Sequence, residues 1–252
     1  GGIANISDTV QGAVLAGLFN SSIHSIKSME MACFANRAVY GKNNFQLSGV
    51  FNSTRKGTTN SQLSIFYNRA HTLKGIQLGF VNYADSARGV PIGFLSIVKK
   101  GYHKIELASD ELMFGSVAFC TGVPRLYNIF LLGMNYNKTN FWTYGYGFGS
   151  DIAFKNKFGV TFAATTQQIK DNNTSKLEWN LLNKIGVGLT YKIVPKIRVD
   201  LGPTFNLFIA DALGNGNVSS FDQLSSFQLQ NPNLDSPYIR MFIGAKLALK
   251  FF

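Results

Sequence analysis

Six copies of one short motif occupy the first hundred residues, and their spacing limits what this chain can fold into more than any other feature. The copies are Leu15-Ala-Gly-Leu-Phe-Asn20, Met31-Ala-Cys-Phe-Ala-Asn36, Leu47-Ser-Gly-Val-Phe-Asn52, Leu63-Ser-Ile-Phe-Tyr-Asn68, Gln77-Leu-Gly-Phe-Val-Asn82 and Pro91-Ile-Gly-Phe-Leu-Ser96. Between their final Asn or Ser residues the spacings are 16, 16, 16, 14 and 14. A period this short and this regular marks a stack of equivalent supersecondary units. The array stops near Gly101 and a different pattern runs to Phe252, so the chain reads as two parts, 1–101 and 102–252.

The unit extends past its Asn. Ala70 and Leu73 follow Asn68 by two and five residues, Ala84 and Ala87 follow Asn82 at the same offsets, and Gly57, Gly75 and Gly89 close three copies. In an antiparallel meander alternate copies run in opposite directions, and nothing favours the same Asn at both ends. In a coiled solenoid each copy is one rung related to the next by translation, so Asn20, Asn36, Asn52, Asn68, Asn82 and Ser96 form a ladder. Identical chemistry in every copy favours the solenoid, with about 14 residues enough for a flattened two-sided rung. The rival is that the repeats add six strands to a barrel of about 14 strands, since a short strand plus a turn has the same period. Apolar residues on both faces, as at Gly79-Phe80-Val81, are expected to be buried on both sides.

Only 15% of residues are charged, against about 25% in an average soluble domain. No stretch of about 18 uninterrupted apolar residues exists, so no transmembrane helix is expected. Abundant Phe, Tyr and Gly suit a membrane barrel or a soluble all-β protein equally. The net charge is +11, but the basic residues are scattered without a run of five or six, which argues against nucleic acid. Many fall in predicted turns, such as Arg55-Lys56, Lys99-Lys100, Lys155, Lys157 and Lys196, where phospholipid or lipopolysaccharide phosphates suit them. Cys33, in a repeat strand, and Cys120, in a barrel strand, form no CxxC and read as buried thiols, with a disulfide left open. Gly1–Ile6 reads like the tail of an earlier repeat, so a processed or truncated product is expected and export is not judged from this end.

From 102 onward eight strands are predicted: 103–110, 112–123, 126–137, 141–154, 158–170, 177–193, 197–210 and 237–252. Tyr144-Gly-Tyr-Gly-Phe-Gly149 and Lys184-Ile-Gly-Val-Gly-Leu-Thr-Tyr-Lys192 alternate at period two, aromatic or aliphatic outward and glycine inward. Neither run has the GxGxxG spacing and following helix of a phosphate loop. Connections alternate between short ones, such as Val194-Pro-Lys196, and longer ones up to Asp211–Ser236. That alternation is the outer-membrane pattern, with tight turns in the periplasm and long loops outside. The last strand carries Tyr238, Phe242 and a terminal Phe252. It resembles the C-terminal recognition strand of bacterial outer-membrane proteins, read by the barrel-assembly machinery. The same parity places the repeats on the periplasmic side, or folded back beneath or beside the barrel. The expectation is an all-β chain: an antiparallel transmembrane β-barrel of about eight strands preceded by a β-repeat array.

The chain also resembles a family of bacterial envelope proteins described as surface-repeat-containing, with repeats of the Gly-Val-Gln-Leu-Gly-Leu-Val-Asn type. The resemblance rests on Gly75-Ile-Gln-Leu-Gly-Phe-Val-Asn-Tyr-Ala-Asp-Ser-Ala-Arg-Gly89, on Val90–Lys100, and on the passage through Gly101-Tyr-His103 into a barrel-like tail. It is specific over 45–110, and Met29–Asn36 departs from it. It implies an outer-membrane setting and no reaction, and the "surface" in the family's label conflicts with the periplasmic placement read from loop parity.

Catalytic, cofactor and metal residues are not expected. His24 and His71 are assigned to turns between rungs. His103 has Glu106, Ser109 and Asp110 near it in sequence, but residues 103 and 109 on one extended strand lie about 20 Å apart. Asp110-Glu111 reads as a solvated turn. Three function classes follow. A small outer-membrane lipid-modifying or hydrolytic enzyme is least supported. A porin-like channel would need the wider barrel. A non-enzymatic anchor or scaffold in an envelope assembly is favoured. Its partners would be the bilayer with its lipopolysaccharide, the assembly machinery, and other outer-membrane proteins or lipoproteins. Phe221 and Phe227 in the long Asp211–Ser236 loop are its candidate contacts.

Overall fold

The computed structural model describes residues 2–135, 141–154, 157–171, 180–210, 227–228 and 238–251. Among these, every regular element is a strand. Two compact units emerge, Gly1–Tyr102 with Thr121–Tyr127, and His103–Cys120 with Asn128–Phe252.

The first unit is a parallel β-solenoid. Its strands are β1 (Ala4–Ala16), β2 (Phe19–Ala32), β3 (Ala35–Ser48), β4 (Phe51–Leu63), β5 (Tyr67–Leu73), β6 (Ile76–Leu78), β7 (Val81–Ala87), β8 (Val90–Ile92) and β9 (Leu95–Val98). They pair in the order β1-β2-β3-β4-β5-β7-β9, with β6 on β4 and β8 on β6, all parallel. Consecutive parallel strands cannot be joined by tight hairpins, so each rung must coil right round before the next is laid down. In the first four rungs one long strand carries both arms. Later rungs break at Lys74-Gly75 and Arg88-Gly89 into two. The repeats form a sheet of their own, and this excludes the barrel of about 14 strands.

The register puts Asn5, Asn20, Asn36, Asn52, Asn68, Asn82 and Ser96 side by side. The shortening from 16 to 14 residues is taken up at corners. Thr54 pairs with Ala70 but Thr58 pairs with Thr72, so two residues drop out between them. Glycine is required where rungs crowd at a corner: Gly57 has a φ of +104°, and a Cβ there would overlap the Gly41 carbonyl. A Cβ on Gly89 would likewise overlap the carbonyl of Gly75. Ala70, Leu73, Ala84, Val98 and Val123 form the unit's small apolar cluster.

The second unit is a closed antiparallel barrel. Strands β10 (Tyr102–Asp110), β11 (Gly115–Val123), β12 (Leu126–Asn135), β13 (Phe141–Phe154), β14 (Phe158–Asp171), β15 (Asn180–Val194), β16 (Ile197–Ala210) and β18 (Tyr238–Phe251) pair in sequence order, and β10 pairs with β18 to complete eight. The two-residue β17 (Phe227–Gln228) pairs with Arg240 and Met241, where β18 runs beyond β10. β13 and β16 match the predicted 141–154 and 197–210. β11 starts later than predicted because Asp110 Oδ1 accepts the backbone N–H groups of Leu112 and Met113, at 3.0 and 2.9 Å, and folds this stretch into a turn.

Candidate functional site

The barrel is inverted in polarity. On β13, Thr143, Gly147, Gly149 and Asp151 are buried inside while Trp142, Tyr144, Phe148 and Ile152 face outward and are exposed. On β18, Arg240, Phe242, Ala248 and Lys250 are buried and Ile243, Leu247 and Leu249 are exposed. Period-two alternation must give one face of each kind, and here the apolar face is the outer one. An apolar outside over a charged inside is the polarity of a transmembrane β-barrel. A 14-residue strand tilted by about 45° rises about 30 Å, enough for an apolar band of about 25 Å. Aromatic residues mark both ends of the β13–β14 hairpin. Trp142 and Tyr144 stand near one end with Lys170 Nζ 5.8 and 5.9 Å from their ring centres, and Phe158 with Tyr191 stands at the other.

The interior charges are paired, as burial demands. Lys104 and Arg198 approach Asp151 at 3.5 and 3.0 Å. Glu106 pairs with Lys246 and, at 3.4 Å, with Lys250, which also holds Asp200 at 2.7 Å. Thr161 Oγ1 donates to the same Asp200 carboxylate. Lys184 lies 2.6 Å from Asp110 and 3.2 Å from Glu111, and Asn206 Nδ2 donates to Glu111 at 2.8 Å. Leu112, Met113, Phe141, Ile169, Leu182, Phe208 and Phe242 form an apolar layer in the interior. A cavity of about 40 Å³ bounded by Glu106, Asp110, Leu131, Lys184 and Lys246 has room for a few waters. Side chains fill the interior of this eight-stranded barrel among the described residues, as its small circumference requires.

The solenoid interior is polar too. Each ladder Asn uses one side-chain amide in two directions. Asn20 Nδ2 donates to Asn36 Oδ1 in the next rung at 2.8 Å, and to the Met31 carbonyl across its own rung at 2.8 Å. Asn36, Asn52 and Asn68 repeat both bonds at 2.7–3.0 Å. A second ladder runs beside it. Gln46 Nε2 donates to Glu30, Gln62 Nε2 to Gln46 and Gln77 Nε2 to Gln62, at 2.8, 2.6 and 2.7 Å, all buried. Sequence reasoning missed it, although each member stands five or six residues before a ladder Asn.

With amides inside, apolar residues of the rungs face out. Leu15, Leu47, Leu78 and Ile92 are exposed in one column, with Met29 and Ile76 beside them. Leu18, Phe34, Phe66, Phe80 and Phe94 line the adjoining corner, where the rings of Phe80 and Phe94 stack at 5.0 Å. Burial on both sides was expected around Phe80; the structure leaves that ring 54% exposed because the corner turns it outward.

Other expectations need correction. Asp110 and Glu111 do not form a solvated tip, because Lys184 draws both carboxylates into the barrel. His24 and His71 lie on β2 and β5, not in turns, because the arms outrun the repeated hexamer. His24 stacks on Tyr40 at 5.3 Å, and His71 Nδ1 lies 2.7 Å from Asp85. Burial raises the Asp85 carboxyl, but hydrogen bonds from His71 and Tyr83 and the positive His71 and Arg69 outweigh it and hold the group below its ordinary value. Cys33 is an exposed corner residue just beyond β2, whereas Cys120 is buried; both are free thiols. Around His103, Glu106 is held by lysines, Ser109 Oγ donates to the Met113 carbonyl and Asp110 pairs with Lys184. Phe242 sits in the interior apolar layer, and the backbone of Phe227 pairs with Met241. Tyr238 begins β18, and Phe221 and Phe252 lie outside the described residues. Among the described residues no cluster of three or more His, Cys, Asp or Glu could hold a metal ion.

No family model matches the chain, and no curated protein matches it. Among solved structures, the crystal structure of Neisserial surface protein A (NspA) matches with a TM-score of 0.31 and 10% identity, over 59% of this chain and 93% of that one.

Proposed function

We propose that this chain is an integral outer-membrane protein whose barrel is a closed, non-enzymatic anchor and whose repeats form the interaction subunit of an envelope assembly. One observation carries the reading: a closed eight-stranded barrel with an apolar outside and an ion-paired inside. Closed barrels of that polarity are stable in lipid because every backbone group is paired and no sheet edge is left open. The resemblance of residues 45–110 to surface-repeat-containing envelope proteins agrees with it. The porin-like alternative loses support from the paired lysines and carboxylates that occupy the interior.

Expression in a Gram-negative host, membrane fractionation and planar-bilayer recording test the proposal. The protein is expected to sediment with outer membranes, resist alkaline extraction, and insert without conductance. Extraction as a peripheral protein would refute membrane insertion. A stable conductance would refute the closed anchor.

A further inference from the structure

The outward face of the solenoid is an unusual surface for a repeat array. One arm of each rung presents an apolar column, typified by Leu47, Leu78 and Ile92, and the adjoining corner presents Phe34, Phe66 and Phe80, which are 56, 58 and 54% exposed. About six rungs spaced about 4.8 Å apart, each with an arm of about 17 Å, give about 500 Å², near the upper end for the largest apolar patch on a monomer. The other corner of the same arm is basic, with Lys27, Lys42, Lys74 and Arg88 all exposed. Residues 1–101 hold ten Lys and Arg against three acids, one of which, Glu30, is buried inside.

We infer that this face lies on an anionic lipid surface, with the apolar columns in the headgroup–acyl boundary and the basic corner against the phosphates. Charge decides the occupant. Two copies meeting face to face would bring two strongly basic units together, whereas an anionic bilayer offers both an apolar layer and the opposite charge. Only Lys99–Gly101 separates β9 from β10, so a membrane that takes the barrel is also at high effective concentration for the repeats. The inference goes beyond the anchor reading, which names no partner for the outward face of the repeats.

The chain carries its own reporter site. Cys33 is exposed in the apolar corner and Cys120 is buried, so a thiol-reactive, environment-sensitive fluorophore labels the wild-type protein at one position. The labelled full chain is reconstituted in phosphatidylcholine–phosphatidylglycerol vesicles containing spin-labelled lipid. Two controls carry Cys33→Ser: Arg37→Cys reports the opposite arm, and Leu247→Cys the barrel exterior. Loss of fluorescence is expected at 33 and 247 and not at 37, and the loss at 33 should shrink when phosphatidylglycerol is omitted. Leu47→Asp with Leu78→Asp should abolish the loss at 33 and leave that at 247. Quenching at 247 without quenching at 33 overturns the inference and leaves the barrel reading standing, and quenching at neither overturns both. Quenching at all three positions, or indifference to phosphatidylglycerol, overturns the oriented, charge-assisted contact. Energy transfer between copies without lipid quenching at 33 assigns the face to a second copy.

Discussion

Asn52→Ala removes one rung from the middle of the asparagine ladder, and the cost follows from its bonds. Asn52 Nδ2 donates to the Leu63 carbonyl at 2.7 Å and to Asn68 Oδ1 at 3.0 Å, while its own Oδ1 accepts from Asn36 Nδ2 at 2.9 Å. The side chain is fully buried, so water cannot replace it without opening the rung. A buried hydrogen bond contributes about 1 kcal/mol net and a stranded buried partner costs about 1–3 kcal/mol, so the substitution should cost about 3–5 kcal/mol. Asn60 lies on the same strand but is exposed, and its Nδ2 donates to Asn44 Oδ1 at 3.4 Å, so Asn60→Ala should cost less than about 1 kcal/mol. Hydrogen exchange read by mass spectrometry on the full-length protein separates the two. At about 1.4 kcal/mol per factor of ten, Asn52→Ala should speed exchange in β3–β5 by a hundredfold or more, without change in the barrel. Equal effects at positions 60 and 52, or loss of protection spread evenly over every rung, would refute the nearest-neighbour ladder.

Lys184→Met strands Asp110 and Glu111 inside the barrel and should destabilise it by about 3–5 kcal/mol, seen as lost heat resistance on gel electrophoresis; adding Asp110→Asn should restore part of it. Gly57→Ala should lower thermal stability through both its positive φ and its overlap with the Gly41 carbonyl, whereas Gly115→Ala, which meets nothing within 4 Å, should leave the melting temperature unchanged. Asp85 titrates below its ordinary 3.8 in the folded chain, so its contribution is present at neutral pH and lost as pH falls through the depressed value. Carboxylate NMR should show that titration below pH 3.8, and His71→Ala should move it upward.

The solenoid was legible because its signal is one-dimensional. A ladder made by translation repeats the same letter at a fixed spacing, and Asn20 through Asn82 display it directly. The glutamine ladder obeys the same rule but was hidden by where each hexamer was cut: only Gln77 fell inside one. The barrel strands were legible from alternation. The partners of the interior charges were not, because Lys184 meets Asp110 across 74 residues and Lys246 meets Glu106 across 140. Alternation says that a side chain points inward and says nothing of what stands opposite. Asp110 and Glu111 show the same limit, since a carboxylate in a turn is solvated only if no inward lysine is within reach. The outward turn of Phe80 was not legible, because a run that is apolar on both faces does not say which face the amide ladders occupy.

A ladder of identical asparagines cannot count. Any coil of the array would bond equally well to any other, so amide chemistry alone would let the stack assemble one rung out of step. The shortening from 16 to 14 residues removes that ambiguity. A 14-residue coil laid on the wrong 16-residue neighbour leaves two residues without partners, and the register change between Thr54 and Thr58 is where this stack drops them. The irregularity in the period thus works as an address, marking which rung belongs in the middle of a stack whose asparagine ladder is the same from rung to rung.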